Sequence, residues 1–250
     1  MEEWMKPFEN CTLCPRKCGV NRSTGKAGAC HVDAQMRVAR AALHFWEEPC
    51  ISGEEGSGAV FFSGCSLGCV FCQNTEISRG QAGENVSVER LAEIYLNLQE
   101  QGANNINLVT AGHYAPAVAE SLRRAKDMGL QIPVVFNSSG YELPDTLRLL
   151  DGLVDIYLPD MKYMDGELAG KYSHAQNYPD VAKAALEEMV RQCPVCEFDE
   201  RGRMKKGVIV RHLLLPGHVK ESKAVLKYLH ETYQDQIYIS IMSQYTPMSQ

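Results

Sequence analysis

Three cysteines, Cys65, Cys69 and Cys72, stand in a C-x3-C-x2-C spacing directly after the apolar stretch 58–62. Three thiolates on one tight loop suit an iron–sulfur cubane in which the fourth iron keeps an open coordination position. The next cysteine along the chain is Cys193, too distant in sequence to be assumed as a fourth ligand. A pure electron carrier supplies all four ligands, so an open iron predicts a site that binds and reduces a molecule. The competing interpretation is a zinc site of the same thiolates, completed by Cys50.

A second set of cysteines lies near the N-terminus, as Cys11-x2-Cys14-x3-Cys18-x11-Cys30. Four thiolates form a closed cage, and this spacing suits both a structural zinc ion and an auxiliary iron–sulfur cluster. We therefore predict a second metal site there and leave the metal open. A further C-x2-C pair, at positions 193 and 196, offers only two ligands and is interpreted as a loop with free thiols.

Length and composition fit one medium-sized domain with a small appendage. The chain has 250 residues, 45% of them hydrophobic, and a formal net charge of −6. The acidic balance argues against a nucleic-acid partner, and no apolar run is long enough to span a membrane. The N-terminus lacks the apolar segment of a signal peptide. We therefore expect a cytoplasmic protein whose ten cysteines serve metal or redox chemistry rather than disulfides.

The elements that must position these cysteines alternate along most of the chain. Six short, β-branched or aromatic-rich segments predict strands at 58–62, 106–109, 133–137, 154–158, 208–214 and 237–241. Helical patterns occupy 88–101, 117–128, 145–150, 180–192 and 219–233. This βα alternation predicts an α/β fold with a parallel sheet, either doubly wound or barrel-shaped. We divide the chain into a Cys-rich N-terminal metal-binding module, 1–57, with a hairpin at 36–44, and a larger domain, 58–250.

The cysteine loop, with aromatic Phe71 before its last cysteine, resembles the signature of the radical S-adenosylmethionine (SAM) superfamily. Further segments resemble the subgroup related to pyruvate formate-lyase activating enzyme: 11–22, 47–53, 71–74, 137–141, 158–162 and 211–217. The resemblance implies a partial (βα)6 TIM-like barrel, with chemistry at the carboxyl ends of its strands. It implies that Cys65, Cys69 and Cys72 ligate a [4Fe-4S] cluster, and that Phe71 contacts the adenine of SAM.

The resemblance also implies SAM contacts at the ends of the second and third barrel strands. Asn137 and Ser138 end the third strand and are expected to bind the ribose hydroxyls. Many members carry a Gly-Gly-Glu-Pro run after the second strand, which meets the amino group of SAM. Here the corresponding stretch keeps Gly112 but lacks the glutamate. Thr110, His113 or backbone carbonyls are the substitutes that the sequence offers.

Charged residues mark the ends of the later strands. Asp160 and Lys162 resemble the Asp-x-Lys of the activating enzymes, which helps to hold SAM. Arg211 lies inside an apolar strand, where an unpaired charge is costly, so we expect it to face the barrel interior and meet an anion, namely the SAM carboxylate. Strand alternation turns the next residue, His212, the other way. Gln244, after the last strand, is expected to border SAM or substrate.

The resulting hypothesis is an oxidoreductase that cleaves SAM reductively to a 5′-deoxyadenosyl radical, which abstracts hydrogen from its substrate. The resemblance implies a glycine of a glycyl-radical enzyme as that substrate. The alternatives are another peptide or small molecule, or a non-catalytic iron–sulfur or zinc protein in electron transfer. The expected partner is a low-potential reductant such as flavodoxin or ferredoxin. Family members usually continue beyond the sixth strand, so ending at Gln250 predicts a less completely covered barrel mouth.

Overall fold

The computed structural model describes residues 2–247, so the end of the chain at Gln250 lies outside the described residues. The strands are β1 (Met36–His44), β2 (Ser57–Phe62), β3 (Glu84–Val86), β4 (Ile106–Val109), β5 (Val134–Ser138), β6 (Ile156–Pro159), β7 (Glu197–Phe198), β8 (Met204–Leu213) and β9 (Tyr238–Met242). The helices are α1 (Pro49–Ser52), α2 (Thr75–Ser78), α3 (Val88–Glu100), α4 (Ala115–Asp127), α5 (Pro144–Arg148), α6 (Gly166–Ser173), α7 (Tyr178–Gln192) and α8 (Val219–Tyr233).

Six of these strands form one continuous parallel array in the order β2, β4, β5, β6, β8 and β9. Each overlaps a strand expected from the sequence, and helices return the chain between successive strands. Leu108 of β4, for example, pairs with Val60 on one side and Phe136 on the other. The array confirms the predicted α/β fold class, a partial barrel of six parallel strands.

The predicted hairpin within 36–44 is wrong, because this stretch is the single strand β1. It contains no turn residues, and its partners lie elsewhere in the chain. β1 pairs antiparallel with β2, where Ala41 faces Val60, and with β3, where Met36 faces Val86. The segment before residue 58 therefore extends the same sheet that carries the cysteine loop.

Helix α3 illustrates how local sequence sets the outer layer. Ser87 caps it by accepting a hydrogen bond from the Arg90 amide at 3.1 Å. Its side chains at positions 91, 95 and 98 recur at helical spacing and are buried against the sheet. The five predicted helices all form, whereas the short helix α6 was not expected. No helix within residues 2–247 has the length and apolar character needed to cross a membrane.

The barrel interior has its own apolar core, separate from the one beneath the helices. Val135, Leu158 and Ile209, from β5, β6 and β8, pack there together with Ile51 of α1. Ile51 is fully buried, and its carbonyl accepts a hydrogen bond from the Asn105 side chain at 2.8 Å. Since position 105 directly precedes β4, α1 closes the end of the barrel where the strands begin. The opposite end, where the strands finish, carries the cysteine loop.

Gly140 provides a test of how closely neighbouring strand ends approach each other. Its φ is +77°, and a Cβ placed there would overlap the Asp160 carbonyl oxygen. Gly152 has nearly the same φ, +74°, but open space around it. We expect Gly152→Ala to lower the free energy of unfolding by ~1–2 kcal/mol through backbone strain alone. Gly140→Ala should cost a further ~1–3 kcal/mol, because the backbone it meets cannot yield freely.

The measurement is the urea midpoint of both variants against the unmodified chain at the same metal loading. Equal midpoints for the two variants would contradict the close approach of the loop after β5 to the end of β6.

Candidate active site

The cysteine loop begins two residues after β2 and is held by its own backbone and by the end of α6. Ser173, the last residue of α6, donates its hydroxyl to Cys69 Sγ at 2.9 Å, and the Leu67 amide donates to Cys65 Sγ at 3.4 Å. The Val70 amide donates to the carbonyl of Tyr172 at 2.9 Å. The three loop cysteines are all half-buried. The unexpected helix α6 therefore serves as the support of this loop.

Burial and mutual repulsion make the thiols of Cys65 and Cys69 reluctant to ionise unaided. Burial raises the pKa of Cys65 to about 12, with further increases from Cys69 and Cys72, while the Lys162 charge opposes the rise. Binding a cationic metal centre would therefore release thiol protons. Within residues 2–247, no three His, Cys, Asp or Glu side chains converge on one point suitable for a single metal ion. A cubane binds each thiolate through a different iron, so three thiols around one loop fit that donor set.

A polar layer lies at the carboxyl ends of β5, β6 and β8. Asn137, Asp160 and Arg211 each follow by two residues the interior apolar residues described above, and strand alternation therefore turns them to the same face. Arg211 donates from Nη2 to Asn137 Oδ1 at 2.6 Å and from Nε to Asp160 Oδ1 at 3.1 Å. The interior position predicted for Arg211 is thus observed, and the anions that it contacts here belong to the protein.

Asp160 and Lys162 form an ion pair of 2.5 Å beside the cysteine loop. Burial raises the pKa of Asp160, but the Lys162 and Arg211 charges outweigh it and hold that pKa below its ordinary value. Burial alone would lower the pKa of Lys162. The Asp160 charge, aided by Cys69, outweighs burial and raises that pKa above its ordinary value. Both groups are therefore ionised, with side chains 16% and 17% exposed, which leaves them reachable by a bound molecule.

Two interior residues of this layer were missed by sequence reasoning. Glu47, just before α1, accepts hydrogen bonds from Arg211 Nη1 at 3.4 Å and from Asn137 Nδ2 at 3.2 Å. Burial raises the pKa of Glu47, an effect that Arg211 partly offsets. Asn107 of β4 is fully buried beside Glu47, whose pKa it helps to lower, although its side chain makes no hydrogen bond of good geometry within residues 2–247. A polar residue in the middle of a predicted buried strand was the available signal for Asn107.

A third missed residue, Glu142, lies beside the stretch that lacks the family's glutamate. Its carboxylate accepts a hydrogen bond from Ser138 Oγ at 3.0 Å. A Cβ added to Gly112 would stand 3.3 Å from Glu142 Oε1. Burial raises the pKa of Glu142 to about 7, an effect that the Ser138 hydrogen bond opposes and the Asp160 charge increases. Ser138 is therefore engaged by this carboxylate. Glu142 lies in a loop, where no periodic pattern marks it.

The sequence offered Thr110 and His113 as substitutes for the glutamate that is missing after the second barrel strand. The structure gives these two residues different settings. His113 donates from Nε2 to the carbonyl of Ser63 at 2.9 Å, so its ring is committed to the residue before the cysteine loop. Burial and the Arg22 charge lower its pKa to about 3, which keeps it neutral. Thr110 has a φ of +60°, a strained conformation for a β-branched residue.

The remaining predicted residues are distributed around the mouth of the barrel and elsewhere. Phe71 is half-buried on the cysteine loop and packs against the outer core. Gln244 follows β9 and is exposed. His212 points away from the interior, as alternation predicts, and its Nδ1 donates to the carbonyl of Met161 at 2.7 Å. Cys193 donates to the Asp155 carbonyl at 3.3 Å, near the start of β6 and therefore at the other end of the barrel.

The N-terminal cysteines reach the cysteine loop through the backbone of Cys30. Cys11, Cys14 and Cys30 are buried and Cys18 is half-buried. The amide of Cys65 donates to the carbonyl of Cys30 at 3.2 Å. The two cysteine sets are therefore direct neighbours in space, although they are well separated in sequence.

Known proteins similar to this chain agree with that architecture. The model of the Radical SAM superfamily matches residues 59–229, more than half of the chain. A protein of Methanocaldococcus jannaschii described as the uncharacterised protein MJ0674 is 29% identical over 248 residues, which cover 96% of this chain and 67% of that protein.

Two solved structures are also similar. HydG, a maturase of the [FeFe]-hydrogenase, aligns with a TM-score of 0.51 at 15% identity, over 74% of this chain and 42% of that chain. Streptococcus suis SuiB aligns with a TM-score of 0.49 at 12% identity, over 77% of this chain and 41% of that chain. The chain thus spans less than half the length of either protein. The alignment with HydG supports a shared fold.

The buried carboxyl of Glu142 yields a pH-dependent expectation. Its pKa in the folded chain, about 7, lies above the ordinary 4.5. The protonated group therefore favours the folded state fully below pH 4.5, and this contribution is lost as the pH rises through about 7. The loss amounts to roughly 3 kcal/mol. In infrared difference spectra of the unmodified chain against Glu142→Gln, a protonated carboxyl band should disappear near pH 7. A band already absent at pH 5.5 would contradict the raised pKa.

Proposed function

We propose that this chain, which belongs to the radical SAM superfamily, is a radical SAM enzyme with its reaction centre between the cysteine loop and the polar layer. One observation carries the proposal: the loop of Cys65, Cys69 and Cys72 follows the first parallel strand and faces Lys162, whose charge acts on two of these thiols. A barrel that collects thiols and paired charges at the carboxyl ends of its strands has the arrangement of an active site.

The superfamily implies a [4Fe-4S] cluster and SAM, and the donor set of this chain fits both. We assign the cluster ligands to Cys65, Cys69 and Cys72, which leave one iron free to chelate SAM. When bound, the cluster supplies the electron that cleaves SAM, and the 5′-deoxyadenosyl radical so formed abstracts hydrogen from the substrate. The hydroxyl of Ser173 and the amide of Leu67 stabilise the sulfur atoms through hydrogen bonds.

The polar layer suits the charged and polar groups of SAM. Arg211 has five N–H groups, and its contacts with Asn137, Asp160 and Glu47 leave further donors for a carboxylate. The amide of Asn107, which lies beside Glu47 and makes no hydrogen bond of good geometry within residues 2–247, adds a buried polar group to the same interior. Both observations support a polar occupant of the interior.

Glu142 is the residue we assign to the amino group of SAM. It lies against Gly112, in the stretch where the resemblance placed a glutamate and the sequence has none. A carboxyl held near neutrality by burial becomes a carboxylate when an ammonium group approaches, because the cation favours the ionised form. Glu142, in the loop after β5, would thereby supply the carboxylate for the amino group of SAM. The loop after β4, where the family's glutamate is expected, has no such residue.

The substrate we propose is a glycine in a protein, with another peptide or a small molecule as the alternative. The support is the resemblance to the activating enzymes, whose Asp-x-Lys pair has its counterpart in the adjacent Asp160 and Lys162. Addition of a glycyl-radical enzyme to the reduced, SAM-loaded chain should then produce a glycyl radical signal by electron paramagnetic resonance. SAM cleavage that no such enzyme alters would instead favour the alternative.

The reaction itself is tested by anaerobic reconstitution with iron and sulfide, followed by dithionite and SAM. We expect 5′-deoxyadenosine from the unmodified chain and from Cys196→Ser, because Cys196 lies beside Gly207 at the start of β8. Cys72→Ser should lower the yield by at least ~100-fold, because the cluster then loses a ligand. Equal product from the two variants would refute the assignment of the cluster loop. An assembled, reducible cluster that ignores SAM would favour the electron-transfer interpretation.

Glu142→Gln tests the SAM contact separately. The amide retains the size of the side chain but cannot form the charge-assisted bond to an ammonium group. We expect about 10-fold weaker SAM binding by equilibrium dialysis at unchanged iron content, which corresponds to ~1.4 kcal/mol. Glu188 is a buried carboxylate on α7 that pairs with Arg191. Glu188→Gln is therefore the matched control and should bind SAM normally. Unchanged SAM affinity in Glu142→Gln would remove Glu142 from the site.

A further inference from the structure

Arg22 is a buried cation without a carboxylate partner. Its side chain is 1% exposed. Within residues 2–247 its hydrogen-bond acceptors are the carbonyls of His113 at 2.7 Å, Asp33 at 2.7 Å and Val32 at 3.3 Å, and Cys11 Sγ at 3.6 Å. A guanidinium removed from water costs several kcal/mol unless a negative charge compensates it. The groups around Arg22 that can acquire such a charge include the thiols of the N-terminal cage.

Three of those thiols, Cys11, Cys18 and Cys30, lie close to the Arg22 side chain. A Cβ added to Gly28 would stand 3.2 Å from Arg22 Cδ, 3.4 Å from Cys18 Sγ and 3.6 Å from Cys30 Sγ. Gly28 therefore allows both sulfur atoms to approach the arginine. The faces of two aromatic rings, Phe8 at 4.9 Å and Tyr114 at 5.4 Å, border the guanidinium as well. Rings and carbonyls solvate a cation but do not neutralise it.

We propose that Cys11, Cys14, Cys18 and Cys30 ligate an iron–sulfur cluster as four thiolates, and that Arg22 is the counter-cation of this centre. Within residues 2–247 no three such side chains converge on a site for a single metal ion, whereas a cubane binds each thiolate through a different iron. Four thiolates around a [4Fe-4S]²⁺ core leave a net charge of about −2. The permanent charge of the guanidinium offsets part of it. This pairing explains why an arginine is buried here without an acidic partner, and why four thiols share one buried site.

The cage also holds the cysteine loop of the active site. The Cys30 carbonyl accepts the hydrogen bond of the Cys65 amide, as described above. Arg16, between the second and third cage cysteines, donates from Nε to the Ser66 carbonyl at 2.8 Å. Metal binding therefore orders both segments that contact residues 65 and 66. This consequence rests on the proposed function of the loop, whereas the metal centre itself does not.

The test uses the full chain, reconstituted anaerobically with zinc alone or with iron and sulfide. Four variants are compared with the unmodified chain: Cys14→Ser in the cage, Cys72→Ser in the cysteine loop, Cys193→Ser as the cysteine control, and Arg22→Leu. In the iron arm we expect roughly eight irons in the unmodified chain and in the cysteine control, and roughly four in Cys14→Ser and in Cys72→Ser. About one zinc per chain bound by four sulfur atoms at ~2.3 Å in X-ray absorption, together with only about four irons in the iron arm, would overturn the cluster.

Arg22→Leu should weaken metal binding at the cage by about 10–100-fold, and Arg22→Lys, which keeps the charge, should restore most of it. Equal metal affinity in the leucine and lysine variants would overturn the role of Arg22. Equal iron content in Cys14→Ser and the unmodified chain would overturn the cluster. If the variants fail to fold, uptake of only about four irons by the unmodified chain overturns it. Cleavage of SAM by an unmodified chain that holds only about four irons would refute this inference alone, whereas a loaded cage without SAM cleavage would refute only the proposed function.

Discussion

Two buried guanidinium groups constrain how the segments of this chain assemble. A guanidinium taken out of water needs partners around its whole plane, and no single strand or helix can provide them. Arg211 donates hydrogen bonds to Glu47, Asn137 and Asp160, which lie in three separate segments. Arg22 joins the N-terminal segment to the carbonyl of His113 beyond β4. Each arginine therefore connects the residues before β2 with the barrel, at its interior or at its rim.

The cysteine loop lies between these two connections, which gives its thiols an unusual environment. The N-terminal cage reaches the loop through the Cys30 carbonyl, and the charge of Lys162 acts on Cys65 and Cys69. The apolar layer deeper in the barrel keeps water from the floor of the site, so charges near the mouth interact strongly. The position of the cysteine loop thus depends on both the N-terminal segment and the barrel.

Much of this architecture could be predicted because it follows from short-range pattern. The six parallel strands and the helices between them come from local periodicity and from capping residues such as Ser87. The predicted inward position of Arg211 followed from the cost of an unpaired charge in an apolar strand, and the outward position of His212 followed from alternation. The hairpin expected at 36–44 failed because the pairing partner of β1 is β2, and a strand does not encode its partner as clearly as its own conformation.

By itself the sequence determined the three-cysteine loop, the four-cysteine cage, the parallel strands and the charged strand ends. These depend on spacing within one segment, which chain geometry converts directly into a face or a turn. Only the tertiary structure decided that Glu47 reaches Arg211, that Glu142 lies against Gly112, and that the cage contacts the cysteine loop. Those contacts join residues from loops and distant segments. Their positions depend on how the packed barrel returns the chain, and local sequence carries little information about that path.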